Sequence, residues 1–560
     1  MTIGAPGQGG DAAGDLPRAR AAVALALLVA YFLATGFAGL DFGVHWDESY
    51  HQRMIKHCIA TLSWFPPGHI YNGVYLLVGL PFLLLKAAPY APRVLHELAH
   101  RDLGGLQDFA GAPVTAELQR VLTAYVDSDR YLLAVRGLCL VLSSLAIVWV
   151  YLAARVILPA RRTWALAAAA FVALSWEVGY HARFVAVDML VTQFVALEMW
   201  LFLRAWHAPP GPAARRWALG AAAAAGAAWA TKSTALFAIL PLLVLVGRRT
   251  AAEGRLRLGG ALAGTYAAVA FALSPGTFLD PLRTYAAMAY EQRNYNSEVP
   301  PNCAYLVSGF LEHAYRAGVW LLGVVPSHFV PVAVAFSLLA AVGAWRLVGD
   351  DRAVRVWAGC ALLFFVFIAS NHMLIVRNHL PAIPTLALLF AGGLATIAGR
   401  LSPRTHRLFL AGVVLGFAAN AVWGIRAAAS IRLTSPASVV EDLRRDVLRA
   451  RAPFRLAPRL AAALGPSTVG QLRCRPETPA GEAARPTVYL FWKLELLSDH
   501  HLNNRVRALP AFYGPLDANH DWYVTFFGKM KDERIVGLSW DQAHRLALAM
   551  DGYLDCGVPY

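Results

Sequence analysis

Residues 71–85 read YNGVYLLVGLPFLLL, a run as apolar as a membrane span but shorter than the roughly 20 residues a helix needs to cross the hydrocarbon core. Pro66, Pro67, Gly79 and Pro81 interrupt its neighbourhood. Whether this run crosses decides on which side every later loop lies. On either side of it the chain offers longer apolar stretches: 21–40 before it, and 133–158, 164–181, 187–206, 217–231, 233–247, 258–275, 328–347, 354–370, 379–398 and 407–425 after it. That is about 11 spans of membrane-crossing character. If residues 71–85 stay on one side, the basic loops Arg161-Arg162, Arg215-Arg216, Arg248 to Arg257, Arg346 to Arg355 and Arg400 to Arg407 all share the side of the N-terminus. If they cross, all five loops flip outside, against the rule that short cytoplasmic loops carry the excess of Lys and Arg. The first arrangement is therefore expected: residues 41–132 form one large outer loop, with 71–85 an interfacial or re-entrant piece inside it.

Composition agrees with a membrane protein. Of 560 residues, 58% are hydrophobic and 15% charged, with a mean hydropathy of +0.47, where a soluble chain carries roughly a quarter charged residues. The net charge of +15 belongs to the inside loops and calls for no nucleic-acid partner. Six cysteines (Cys58, Cys139, Cys303, Cys360, Cys474, Cys556) show no CxxC or zinc-like spacing. The first 20 residues are polar and read as a disordered cytoplasmic N-terminus ahead of an uncleaved first helix. The same parity puts 182–186, 231–233, 276–327, 371–378 and everything after about 426 at the outer face, the periplasm in a bacterium.

Past Thr434 the apolar spans stop. Ser438 to Ala450 reads as an amphipathic helix, Thr487 to Trp492, Asp521 to Phe527 and Ile535 to Trp540 as strands, and Asp541 to Leu554 as a final helix. The expected organisation is a disordered stretch 1–20, an α-helical polytopic membrane domain 21–426 and a small periplasmic α/β domain 427–560. Cys474 and Cys556 both fall in the last, where an oxidising compartment permits a disulfide.

Four charged sites converge on the outer face. The first is His45-Trp46-Asp47-Glu48-Ser49-Tyr50-His51, just after the first helix. Loop solvation explains adjacent carboxylates as readily as function does, and Trp46 and Tyr50 also suit interface anchors. The second runs from Tyr180 through His181, Arg183 and Asp188, where a structural Arg183–Asp188 pair competes with a second carboxylate facing Asp47. The third is Thr231-Lys232, whose lysine could simply snorkel. The fourth runs from Asn371-His372 to Arg377-Asn378-His379-Leu380-Pro381.

In this order and spacing, aromatic-Asp-Glu, Arg-x4-Asp, Thr-Lys and Arg-x3-Pro resemble the GT-C membrane glycosyltransferases. The nearest branch holds the bacterial aminoarabinose transferase and the protein O-mannosyltransferases, and the resemblance covers about residues 20–426. One element departs from it: Phe65-Pro66-Pro67-Gly68-His69 has Phe where the family often has a basic residue, and Pro89 to Asp129 looks inserted. The resemblance implies an inner-membrane enzyme that moves a sugar from a polyprenyl-phosphate donor to a hydroxyl of a periplasmic lipid, glycan or protein. Asp47 is then the base, supported by Glu48 and Asp188, and Arg183, Lys232 and Arg377 hold the donor phosphate. His69, Tyr50 and His379 are candidate donor or acceptor contacts. Asp47, Glu48 and Asp188 are also the candidate ligands of a divalent metal, magnesium or manganese. Attack opposite the lipid phosphate would invert the anomeric centre. The alternative from another class is a transporter or lipid-linked glycan flippase, although no internal repeat is visible. Within the enzymes, an oligosaccharide ligase or polymerase is the other candidate.

Overall fold

The computed structural model describes residues 16–38, 40, 46–63, 75–100, 113–159, 161–248, 252–296 and 307–433, with 455–456, 489–490 and 553–555. Nineteen α-helices follow one another: α1 Arg18–Phe37, α2 Trp46–Thr61, α3 Leu80–Ala87, α4 Ala91–His100, α5 Pro113–Val126, α6 Asp129–Ile157, α7 Arg162–Ala173, α8 Trp176–His181, α9 Val187–His207, α10 Pro212–Thr231, α11 Ile239–Gly247, α12 Ala252–Leu273, α13 Pro275–Leu279, α14 Pro281–Tyr295, α15 Phe310–Gly323, α16 Val330–Gly343, α17 Arg352–Ala369, α18 Ile383–Ala398 and α19 Pro403–Leu433. Two 3-10 turns, Ser233–Ala238 and Val376–Ala382, lead into α11 and α18.

Local chemistry explains several of these starts. Ser128 caps α6 by accepting the Tyr131 amide, and Asp351 caps α17 by accepting those of Ala353 and Val354. Proline stands in the first turn of α10 and of α16, where its missing N–H costs nothing. α9 lies at the centre, against α6, α10, α17, α18 and the Val376–Ala382 turn. α16 and α18 touch backbone to backbone: a Cβ at Gly343 would fall 1.7 Å from the Leu389 carbonyl oxygen, and one at Gly393 1.8 Å from that of Leu339. Small residues permit such close crossings between membrane helices. Large apolar side chains such as Leu27, Leu243, Leu338 and Leu415 point outward and exposed, as a lipid-facing surface requires.

Nine helical runs among the described residues are long and apolar enough to cross a membrane, and the chain is a multi-pass membrane protein. Eight of them coincide with expected spans. The other three expected spans differ. Residues 164–181 break into α7 and α8 at Leu174-Ser175, where the Ser175 hydroxyl bonds the Val325 carbonyl. α10 is long enough but carries Arg215-Arg216 near its start, which lower its hydropathy, and 233–247 is a 3-10 turn joined to a short helix.

The ninth run, Tyr75–Glu97, contains the stretch expected to lie at the interface. Length and composition allow it to cross. Its packing is confined: Tyr75, Val78 and Leu83 share a cluster with Ile55, Val126, Tyr131, Val135, Cys139, Val187 and Leu190. It meets α2 and α5, the first three turns of α6 and the first turn of α9.

After Leu433 the described residues are three short antiparallel strands, β1 Arg455–Leu456, β2 Tyr489–Leu490 and β3 Tyr553–Asp555, in the order β1-β3-β2. β2 falls within the expected strand Thr487 to Trp492. β3 ends in extended backbone where the final helix was expected to reach Leu554. The helix 438–450, the strands at 521–527 and 535–540, and Cys474 and Cys556 lie outside the described residues.

Candidate active site

The turn between α8 and α9 organises two buried ionic clusters. On one side Glu48, 1% exposed, takes a two-pronged pair from Arg136, with Nε at 2.8 Å from Oε1 and Nη2 at 2.6 Å from Oε2. Arg136 also donates through Nη1 to the Leu40 carbonyl at 2.6 Å, and the Val185 amide donates to Glu48 Oε1 at 3.1 Å. The pair thus bolts the first turn of α2 to α6 and to the α8–α9 turn. A buried pair of this kind holds only where the remaining lone pairs and protons are satisfied, and these backbone partners supply that.

On the other side stands Asp188, in the first turn of α9 and 2% exposed. Lys232 Nζ lies 2.5 Å from its Oδ1 and Arg377 Nε 3.1 Å from its Oδ2. Lys232 ends α10 as its C-cap in extended backbone, so its ammonium turns back into the bundle; Asn378 Oδ1 accepts its second bond at 2.7 Å. The Asn378 amide reaches the Tyr295 hydroxyl at 3.4 Å. Three consecutive residues of the Val376–Ala382 turn thus point to three places. Arg377 goes to α9 and Asn378 to Lys232, while His379 meets His313 of α15, Nε2 to Nε2, at 3.1 Å. His313 Nδ1 contacts the Asn371 carbonyl at 2.7 Å. A carbonyl only accepts, so Nδ1 carries the proton and Nε2 of neutral His313 accepts from His379.

Arg183 sits apart from this group. Its Nη1 donates to the Gly179 carbonyl at 3.1 Å and its Nη2 to that of Thr35 at 2.5 Å, and it lies over the Trp176 ring at 4.5 Å. Its Nε–H has no hydrogen-bond partner among the described residues. Burial pushes this guanidinium down to about 10, partly offset by Tyr180 and Tyr31, which leaves it charged at neutral pH. No Arg183–Asp188 pair is present among the described residues.

The structure brings together Asp188, Lys232 and Arg377, places His379 beside them in sequence, and puts Glu48 across the turn. The side chains of Asp47 and Tyr50, and all of His69, lie outside the described residues. Arg136, His313 and Tyr295 were not singled out from the sequence, and Asn378 stood in the fourth outer site without a role. Arg136 had a visible signal, an arginine inside an apolar run that needs a partner. As metal ligands, Glu48 and Asp188 are poorly placed, since both oxygens of each already face cations. Among the described residues no group of three or more His, Cys, Asp or Glu gathers in metal-binding geometry.

Known proteins resemble the chain as follows. Residues 67–250 match the sequence profile of the dolichyl-phosphate-mannose-protein mannosyltransferase family. That segment contains Arg183, Asp188 and Lys232, and excludes Glu48 and Arg377. No protein of curated function matches by sequence. Among solved structures, ArnT from Cupriavidus metallidurans in the apo state superposes with a TM-score of 0.46 at 18% identity, over 90% of this chain and 92% of that one. The same protein bound to undecaprenyl phosphate gives 0.41 at 18%, over 81% and 75%. The expected resemblance to the protein O-mannosyltransferases is met by the family profile over residues 67–250.

Proposed function

We propose that the chain is a bacterial inner-membrane glycosyltransferase. It takes a sugar from a polyprenyl-phosphate donor and passes it, with inversion, to a hydroxyl of a lipid, glycan or protein in the periplasm. Residues 21–426 form the catalytic membrane domain and 427–560 a periplasmic α/β domain. The N-terminus is cytoplasmic, and residues 41–132 are an outer loop in which the Tyr75–Glu97 run lies along the interface.

One observation carries the reading: three outer turns, far apart in sequence, deliver Asp188, Lys232 and Arg377 to one buried cluster. Two cations held on one buried carboxylate are the donors that a phosphate needs. Lys232 and Arg377 would hold the donor phosphate as charge develops on it, with Arg183 offering its Nε–H. Asp188 keeps the two cations apart and oriented until the donor arrives. Glu48, already saturated by Arg136 and the Val185 amide, pins the turn that carries Asp47. Asp47 is then the carboxylate assigned to remove the acceptor proton as the hydroxyl attacks the anomeric carbon opposite the leaving phosphate.

The test gives purified protein a labelled polyprenyl-phosphate-sugar and a crude envelope extract. Consumption of the donor with label appearing in an envelope component is expected. If the donor is neither bound nor consumed, a transporter takes first place.

A further inference from the structure

Beneath the site, α9 lines a second cavity. Asp188, Val191, Val195 and Glu198 follow one another at three- and four-residue steps and so share one stripe of the helix. The cleft is open at its mouth and spans about 490 Å³ with that opening included, between α9, α11, α17 and α18, and Val191, Val195, Glu198, Phe237, Trp357 and Thr385 are part of its wall. Ten residues separate Glu198 from Asp188, roughly 15 Å of helix rise, which puts the carboxyl near the middle of the bilayer. Glu198 is fully buried, and neither of its oxygens has a hydrogen-bond partner among the described residues.

A carboxyl at that depth is costly without a partner, whether charged or neutral. The wall does not supply one. The Trp357 indole N–H is spent on the Thr385 hydroxyl at 2.9 Å, and most of the remaining lining is carbon. Each candidate ligand makes a different demand. A sugar would bring many hydroxyls that this wall cannot satisfy. A plain hydrocarbon chain would fill the space and leave both carboxyl oxygens bare. An alcohol offers a single proton to the pair of oxygens. A primary ammonium offers several N–H donors and a charge, and aromatic faces such as those of Trp357 and Phe364 favour a cation. We propose that this cavity is a binding site for a lipophilic primary amine, its ammonium on Glu198 and its chain against the apolar wall.

The experiment uses the full-length protein in nanodiscs, with radiolabelled dodecylamine and 1-dodecanol as probes and empty nanodiscs as the blank. Saturable binding of the amine, about 10- to 150-fold tighter than the alcohol, is the expected result, the scale of one charge-assisted contact. Glu198→Gln keeps the shape and removes the charge, and should bring the amine to the alcohol's affinity. Amine binding that empty nanodiscs reproduce, equal binding of the two probes, or a Glu198→Gln variant that binds the amine as wild type does would each overturn the proposal. Should Glu198→Gln not fold, Val195→Phe fills the cavity and keeps the carboxyl. Loss of amine binding supports the site, and retention overturns it.

Discussion

Glu48 and Asp188 are both buried carboxylates, both answered by cations, and both tied to the same short turn, one through the Val185 amide and the other from the first turn of α9. Their surroundings differ in charge balance. Glu48 meets one arginine in a two-pronged pair whose remaining groups are satisfied by backbone. Asp188 divides its two oxygens between two cations, Lys232 and Arg377. A neutral, saturated pair fastens helices. Cations that share one carboxylate can turn to an incoming anion. The same residue types at similar depth thus serve different ends, and the ratio of cations to carboxylates distinguishes them.

The largest expected effect falls on the residue next to the neutral cluster. If Glu48 only holds the turn and Asp47 removes the acceptor proton, Asp47→Asn should lower turnover roughly 100- to 10,000-fold with an unchanged unfolding temperature. Near-wild-type turnover would place the base elsewhere. Next comes the neutral cluster itself. Arg136→Met takes the guanidinium from the buried Glu48, and breaking such a pair costs roughly 3–5 kcal/mol. Thermal unfolding should report that loss, and the double variant Glu48→Leu/Arg136→Met should recover much of it. A double variant as unstable as the single one would mean that Glu48 does more than answer Arg136.

In the charged cluster the order should reverse, with ligand binding hit harder than stability. Lys232→Ala should weaken donor binding about 10- to 150-fold, one charge-assisted contact. Arg377→Lys should fall short of that because a lysine cannot keep Asp188 and also present a planar fork to phosphate. Arg183→Lys should cost less again, roughly 2- to 10-fold, since both of its Nη atoms are already engaged by carbonyls. Donor titrations of the three variants give the ranking. Equal, small losses in all three would reduce these residues to anchors and erase the difference between the clusters.

The sequence made much of this legible, and its limits have physical causes. Apolar length and the arginine bias expose spans and sides, so Asp188, Lys232 and Arg377 could be assigned to one face before any contact was known. Side is a coordinate along the membrane normal. Which way a helix turns its residues around that axis depends on packing, and this is why Arg136 and not Arg183 meets a carboxylate. The interruption of 164–181 was hidden for a similar reason. Ser175 breaks the helix to reach the Val325 carbonyl, a partner 150 residues away that no local pattern announces. His313 became part of the site only when α15 was seen to pack against the Val376–Ala382 turn.

That packing carries the smallest effect, one of pH. Burial pushes the His313 imidazole below its ordinary range, with the Asn371 carbonyl bond pulling weakly the other way. The group facing it is His379, across the 3.1 Å contact. The folded state therefore binds a proton on His313 less readily than the unfolded chain does. Between the depressed folded value and the unfolded value of about 6.5 the unfolded state holds more protons, so stability rises with pH across that window. It is fully present above about 6.5 and is lost as the pH falls, by at most about 1.4 kcal/mol per pH unit for one proton. Arg136, Glu48 and their backbone partners at Leu40 and Val185 include no histidine. Wild type should thus unfold at a lower temperature at pH 5.5 than at pH 7.5, and His313→Gln should lose part of that slope while Arg136→Met keeps it. An unchanged slope in His313→Gln would move the titration to another histidine, with the buried His328 beside Glu177 the next to replace.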